Sequence, residues 1–215
     1  MPTRTHTWLF DLDDTLHHAH RHVFPVIDGE MTRWIADRLA VPAEEADWLR
    51  RHYWQRYGAT LLGLIRHHPD IDPDAFLTAV HPLPRLLAPT HPAAGLKRTL
   101  ARLPGRKVLY TNGPTYYGEA MLAALGISRH FVRVIGVDAL DHLPKPFIRS
   151  YRRLCRQLRL QPRRCIMVED SIANLRTAKR LGMKTVWLRR HRRGHAAADV
   201  LLSALHHLPL RRAWQ

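Results

Sequence analysis

The chain has 215 residues, of which 46% are hydrophobic and 24% charged. This balance is typical of a globular protein and excludes a disordered or fibrous one. No stretch approaches the roughly 18–20 apolar residues that a membrane-spanning helix requires, and the first residues lack the apolar core of a signal peptide. We therefore expect a cytoplasmic protein with one domain, or with one core and a modest insertion.

The formal net charge is +16, and Arg supplies nearly all of the basic excess. Such a charge attracts anions and could hold nucleic acid loosely. The basic residues are spread over the whole chain, however, and their one dense run, residues 189–193, falls in an expected loop without a recognised nucleic-acid motif. A basic nucleic-acid-associated protein is therefore the less favoured alternative, and an anionic small substrate suits the charge equally well. The sequence does not indicate an oligomeric state.

Short apolar runs that break abruptly into polar residues predict buried strands. They cover residues 8–10, 107–110, 134–137, 165–168, 185–188 and 200–202. Helical patterns lie between them, over residues 92–103, 115–125, 146–158 and 172–181. This alternation predicts an α/β fold, a parallel sheet with helices on both faces. Cys155 and Cys165 lack the CxxC spacing of a zinc motif, and we expect both to be core residues.

Residues 16–90 interrupt the alternation, because they contain no convincing strand. Helical patterns occupy residues 27–39, 42–58, 60–66 and 72–80. A proline-rich connector then leads back to the alternating pattern. We expect an all-helical cap over residues 16–90, inserted just after the first strand of a core formed by residues 1–15 and 91–215.

The first strand ends in three carboxylates, Asp11, Asp13 and Asp14. Ligands of open α/β sheets bind at this carboxyl edge, and clustered carboxylates suit Mg²⁺. Alternation along the chain keeps Asp11 and Asp13 on the same side, whereas we expect Asp14 to be a turn residue. Such a pattern alone is weak evidence, since solvated acidic turns are common.

Three further polar groups follow later strands or open the next helix. They are Thr111-Asn112-Gly113, Lys145-Pro146, and Glu169-Asp170-Ser171 with Asn174 one helical turn further on. The first offers a hydroxyl, an amide and freed backbone N–H groups to a phosphate, the second a positive charge, and the third more carboxylates. Each alone could be a helix cap or a surface turn, but their joint order favours a single site.

The set DLDDT, TNG, KP and EDSxxN resembles the four motifs of the haloacid dehalogenase-like superfamily. The resemblance implies a Rossmann-like parallel-sheet core with a cap. It also implies that Asp11 attacks phosphorus to form an aspartyl-phosphate, while Asp13 protonates the leaving oxygen and then activates water. Haloacid dehalogenases typically lack this second aspartate, so Asp13 favours a phosphatase.

The same resemblance implies the role of each remaining motif residue. Thr111 and Asn112 would bind the phosphate, Lys145 would shield charge, Mg²⁺ would bind Asp11, the Asp13 carbonyl and Asp170, Glu169 would lie in the outer shell of the metal, and Asn174 would orient Lys145. The implied partner is a small phosphorylated substrate.

Residues 53–64 resemble the Y-x-x-x-YG-x-x-L-x-GL segment of pyrimidine 5′-nucleotidase-like members, although Ala59 stands where Thr is frequent. The resemblance implies a pyrimidine nucleoside 5′-monophosphate as substrate, with Tyr53 and Tyr57 as candidate contacts. Two alternatives remain open. The tyrosines could simply pack the cap, and the substrate could be phosphoglycolate or a sugar phosphate. The histidines that follow the first motif, at positions 17, 18, 20 and 22, are expected to be surface or flap residues.

Overall fold

The computed structural model describes residues 6–88, 90, 92–189 and 194–210. Its strands are β1 (Thr7–Phe10), β2 (Arg106–Tyr110), β3 (Arg133–Ile135), β4 (Cys165–Glu169), β5 (Lys184–Leu188) and β6 (Val200–Leu202). They form one sheet in the order β3-β2-β1-β4-β5-β6, and every neighbouring pair is parallel. The predicted α/β fold with a Rossmann-like parallel sheet is confirmed.

Among the described residues, six α-helices lie between β1 and β2 in the chain, and three follow β2. They are α1 (Val23–Leu39), α2 (Ala43–Tyr57), α3 (Thr60–His67), α4 (Pro73–Val80), α5 (Leu83–Leu87), α6 (Leu96–Arg102), α7 (Thr115–Ala124), α8 (Ile148–Gln157) and α9 (Ile172–Arg180). Among the described residues, no helix is long and apolar enough to cross a membrane.

Strand β1 lies at the centre of the sheet, and its side chains alternate between two apolar clusters. Trp8 and Phe10 belong to the cluster that contains buried residues of α6 and α7. Leu9 belongs to the cluster on the other face, which contains residues of α8 and α9 as well as Cys155 and Cys165. Both cysteines are buried, as predicted. Burial on both faces explains why β1 reads as a continuous apolar run.

The register of the sheet brings its polar motifs together. Phe10 pairs with Leu109 of β2 on one side and with Val168 of β4 on the other. Because the strands are parallel, the residues that follow these three positions emerge at the same edge. The polar groups after β1 and β2 and at the end of β4 therefore meet although the sequence separates them widely.

Helices α1 to α4 share a third apolar cluster. It contains Ile35 of α1, Tyr53 of α2, Leu64 of α3 and Phe76 of α4, all buried. The first turns of α1 pack instead against the cluster of β1, so α1 contacts both parts of the molecule. The chain thus folds as an all-helical insertion on a parallel sheet.

Several boundaries differ from the predictions. The helix expected from Pro92 begins at Leu96, because the left-handed backbone of Gly95 (φ 69°) cannot be part of a right-handed helix. Pro92 itself forms a β-bridge with His17. The expected connector contains α5, which uses a proline in its first turn. The helix expected from Pro146 begins at Ile148. Residues 190–193 of the predicted basic loop lie outside the described residues.

Gly63 offers a test of how tightly α2 and α3 pack. A Cβ atom at Gly63 would lie 2.2 Å from Cγ of Tyr53, whereas a Cβ atom at Gly29 on α1 would meet nothing within 4 Å. We expect Gly63→Ala to lower the free energy of unfolding by about 1–3 kcal/mol through overpacking. Gly29→Ala should raise it by up to about 1 kcal/mol, because alanine favours helix. Denaturant unfolding measures both, and an unchanged Gly63→Ala variant would contradict this packing.

Candidate active site

Asp11 is the first residue after β1, and its backbone N–H continues the ladder by donating to the carbonyl of Val168 at 3.0 Å. Its side chain is buried, with 6% of the residue exposed. Oδ1 accepts a hydrogen bond from Nζ of Lys145 at 2.5 Å, and Oδ2 accepts one from Oγ1 of Thr15 at 3.1 Å. Each carboxylate oxygen of Asp11 therefore accepts a hydrogen bond from a different residue.

Lys145 is buried and donates three hydrogen bonds from its ammonium group. The acceptors are Oδ1 of Asp11, Oε2 of Glu169 at 3.0 Å and the carbonyl of Tyr110 at 2.9 Å. Burial by itself would lower the pKa of Lys145, but the carboxylates of Asp11 and Glu169 raise the pKa above its ordinary value. The lysine therefore carries its charge, and all three of its donors are used.

Asn112 fixes the backbone of Lys145. Its Nδ2 donates to the Lys145 carbonyl at 3.0 Å, and its Oδ1 accepts from the Lys145 N–H at 2.7 Å. Both ends of the amide side chain are thus engaged by the backbone of Lys145. Thr111 is buried, and its hydroxyl accepts from the N–H of Gly113 at 3.0 Å, which shapes the turn after β2.

Three carboxylates crowd one side of this network. Oxygen atoms of Asp11, Glu169 and Asp170 lie within 4.8 Å of one another, and this is the one such cluster in the described part of the chain. Burial, reinforced by the charge of Asp11, raises the pKa of Glu169 to about 8 and that of Asp170 to about 7. A divalent cation with oxygen ligands would offset this repulsion, so the donor set fits such an ion.

Glu169 also connects Lys145 to Asn174. Its Oε1 accepts from Nδ2 of Asn174 at 2.8 Å, while its Oε2 accepts from Lys145. Asn174 was expected to orient Lys145, and it reaches that lysine only through Glu169. Both oxygens of Glu169 are thus already hydrogen-bonded, whereas Asp170 is only partly buried at the rim of the site.

Asp13 lies in a different environment from Asp11. Its Oδ1 accepts one hydrogen bond from the hydroxyl of Tyr117 at 2.7 Å and another from Nε2 of His17 at 3.1 Å. Burial and the nearby charge of Asp13 raise the pKa of Tyr117 well above its ordinary value, so the hydroxyl keeps its proton. An ionised carboxylate can only accept, so in this form of Asp13 the donor is Nε2 of His17.

Sequence reasoning did not identify Tyr117 or His17. Tyr117 lies in α7 with no motif around it that points to Asp13. His17 was expected at the surface or in the flap, yet only 2% of its side chain is exposed. Its backbone forms β-bridges with Asp13 and Pro92. Asp14 is a turn residue, as expected: its backbone is left-handed (φ 58°), and its carboxylate accepts from the N–H and ring of His20.

The two predicted contacts in the helical insertion differ in exposure. Tyr53 is 6% exposed, stacks on His67 with 5.3 Å between ring centroids, and shares a hydrogen bond with His68 at 3.0 Å. It packs the interior of the insertion, which was the alternative role that the sequence left open for this tyrosine. Tyr57 is only partly buried, and its hydroxyl lies 2.6 Å from Nε2 of His67.

A family model described as haloacid dehalogenase-like hydrolase matches residues 6–182. The chain therefore belongs to this family of hydrolases. This match does not separate the pyrimidine 5′-nucleotidase-like group from other members of the family.

Solved structures share the fold across nearly the whole chain. A HAD phosphatase from Thermococcus onnurineus is 21% identical, with a TM-score of 0.66 over 94% of this chain and 95% of that one. CbbY from Rhodobacter sphaeroides, in complex with phosphate, is 20% identical, with a TM-score of 0.65 over 95% and 96%. An L-2-haloacid dehalogenase from Xanthobacter autotrophicus, with chloropropionic acid covalently bound, is 18% identical, with a TM-score of 0.61 over 96% and 97%. At these identities the likeness shows the fold and leaves the reaction open.

Because of the acidic cluster, the stability of the folded protein should fall as pH rises, and a bound cation should offset that fall. The pKa values of Glu169 and Asp170 lie above their ordinary values of 4.5 and 3.8, so the folded protein binds these protons more tightly than the unfolded chain. The resulting stability is present at acidic pH and is lost as pH rises through about 7 to 8. In chelator, the wild type should therefore lose more thermal stability than Asp170→Asn between about pH 5 and pH 8, by at least about 3 °C.

Magnesium supplies the control for that comparison. Millimolar Mg²⁺ should raise the melting temperature of the wild type at about pH 8, because a cation that binds only the folded state stabilises it. It should have little effect on Asp170→Asn. Identical responses of the two proteins to pH and to magnesium would contradict the proposed cluster.

Proposed function

We propose that this haloacid dehalogenase-like hydrolase is a magnesium-dependent phosphatase of small phosphomonoesters. The observation that carries the proposal is the second carboxyl group, Asp13, two residues beyond the nucleophile and held by its own hydrogen-bond donors. An alkoxide leaving group needs a proton, whereas a halide does not. The general acid therefore favours phosphate ester cleavage over dehalogenation.

Asp11 is the proposed nucleophile. Its carboxylate would attack phosphorus and form an aspartyl-phosphate as the ester oxygen departs with a proton from Asp13. Asp13 would then take a proton from the water that hydrolyses the intermediate. Since phosphoryl transfer depends mainly on positioning and charge stabilisation, the hydrogen bonds that fix Asp11 are part of the mechanism.

Lys145 prevents the nucleophile and its substrate from repelling each other. It lies 2.5 Å from Asp11, and its charge offsets the negative charge that gathers when a phosphate approaches. The hydroxyl of Thr111 and the backbone N–H of Asn112 are the proposed phosphate donors, since the side chain of Asn112 is engaged by Lys145.

Mg²⁺ is the proposed cation, and it would supply Lewis-acid stabilisation to the phosphoryl oxygens when bound. Asp11, the backbone carbonyl of Asp13 and Asp170 are its proposed ligands. Glu169 is proposed for the outer shell of the metal, where its oxygens accept hydrogen bonds from Lys145 and Asn174.

For the substrate we propose a pyrimidine nucleoside 5′-monophosphate. Residues 16–90 would act as a cap over the core of residues 1–15 and 91–215, and Tyr57 would offer a partly exposed aromatic face to the base. Support comes from the resemblance of residues 53–64 to pyrimidine 5′-nucleotidase-like members. Phosphoglycolate and sugar phosphates are the competing substrates.

The nucleophile is tested by Asp11→Asn, which keeps size and polarity. We expect its rate with para-nitrophenyl phosphate to fall below about 1% of the wild-type rate, because an amide cannot form the intermediate. Asp14→Asn is the matched control, since asparagine tolerates the left-handed backbone there, and it should keep most of the activity. Similar losses in both variants, or more than a few per cent activity in Asp11→Asn, would contradict the proposal.

Substrate class is tested by comparing UMP and CMP with AMP, phosphoglycolate and a hexose phosphate. We expect the highest kcat/KM for the pyrimidine nucleotides, and Tyr57→Leu should reduce this preference while para-nitrophenyl phosphate is still hydrolysed. Tyr53→Phe is the control, because it removes a hydroxyl inside the helical insertion and should leave the preference unchanged. A panel without pyrimidine preference would remove the nucleotide assignment and leave the phosphatase one.

A further inference from the structure

The carboxyl group of Asp13 is held asymmetrically. Both hydrogen bonds that it accepts, from Tyr117 at 2.7 Å and from His17 at 3.1 Å, end on Oδ1. In the part of the chain that the structure describes, no hydrogen bond reaches Oδ2. Two donors on one oxygen fix the plane of the carboxyl group and favour the proton of the acid form on the other oxygen.

We infer that Tyr117 and His17 are positioning residues for the general acid. They would hold Oδ1 so that Oδ2 carries the proton toward the leaving oxygen and later receives one from water. The inference rests on the proposed phosphatase activity, because only there does Asp13 transfer a proton.

Both donors are rigid enough for this role. The ring of Tyr117 is fully buried in the core cluster, and Gly113 approaches it so closely that a Cβ atom there would lie 2.7 Å from its Cδ1. His17 is pinned through its backbone, which forms one β-bridge with Asp13 and another with Pro92. A hydrogen bond between fixed groups loses little conformational entropy when it orients the acid.

Tyr116, the neighbour of Tyr117 on α7, provides a matched control. Its hydroxyl donates to the carbonyl of Leu77 at 3.1 Å, while the ring of Tyr117 lies 5.3 Å from that of His81. Both tyrosines thus contact the helical insertion. Only the hydroxyl of Tyr117 reaches Asp13, so loss of this hydroxyl separates positioning from packing.

The experiment compares a poor leaving group with a good one. Tyr117→Phe keeps the buried ring and removes the hydroxyl. We expect kcat/KM, which reports formation of the aspartyl-phosphate and not its hydrolysis, to fall by about tenfold for an alkyl phosphate such as β-glycerophosphate. The change for para-nitrophenyl phosphate should be less than about twofold, because in this step only the alkoxide needs a well-placed acid. Tyr116→Phe should change the kinetics of both substrates only slightly and to the same extent.

His17 supplies an independent arm. His17→Gln can still donate from its amide nitrogen and should keep more alkyl phosphate activity than His17→Leu, which cannot. In an Asp13→Asn background, Tyr117→Phe should cause no further loss with β-glycerophosphate, because a residue that acts through Asp13 has nothing left to position.

The results can separate failure of the positioning role from failure of the general-acid role. If Asp13→Asn fails to discriminate between the two leaving groups, the general-acid role is wrong and the inference falls with it. If Asp13→Asn discriminates but Tyr117→Phe lowers kcat/KM for both substrates alike, or adds its full effect in the Asp13→Asn background, only the positioning role is overturned.

Discussion

The buried ammonium group of Lys145 is the interaction on which the rest of the site depends. It joins Asp11 after β1, the carbonyl of Tyr110 at the end of β2 and Glu169 at the end of β4. Without it, two buried carboxylates would lose their counter-charge, which typically costs several kcal/mol. Asn112 in turn fixes the backbone of this lysine. One cation therefore organises both the sheet edge and its charge balance.

The two aspartates of the first motif differ in what surrounds them. Asp11 lies among charges, with Lys145 on one oxygen and Asp170 close by. Asp13 is held instead by the neutral hydroxyl of Tyr117 and the ring of His17. Enzymes assign different roles to paired carboxyl groups through such differences in environment. The proposed division into nucleophile and general acid follows this pattern.

The sequence predicted the parallel sheet and the meeting of its motifs, because polar residues after parallel strands emerge at one edge. It could not predict that the Asn112 side chain binds Lys145, since the two are 33 positions apart. Tyr117 was missed for the same reason, as 104 positions separate it from Asp13. His17 looked like a surface histidine because local patterns do not encode its backbone bridge to Pro92, 75 positions away in the chain.

The central claim is that Asp11 carries the phosphoryl group during turnover. The most direct measurement is to quench the enzyme in acid during steady-state hydrolysis, reduce it with borohydride and map its peptides by mass spectrometry. Reduction converts an aspartyl-phosphate to homoserine, so the account predicts homoserine at position 11, dependent on substrate and Mg²⁺. Active enzyme with unmodified Asp11, or with homoserine at position 13 or 170, would contradict it.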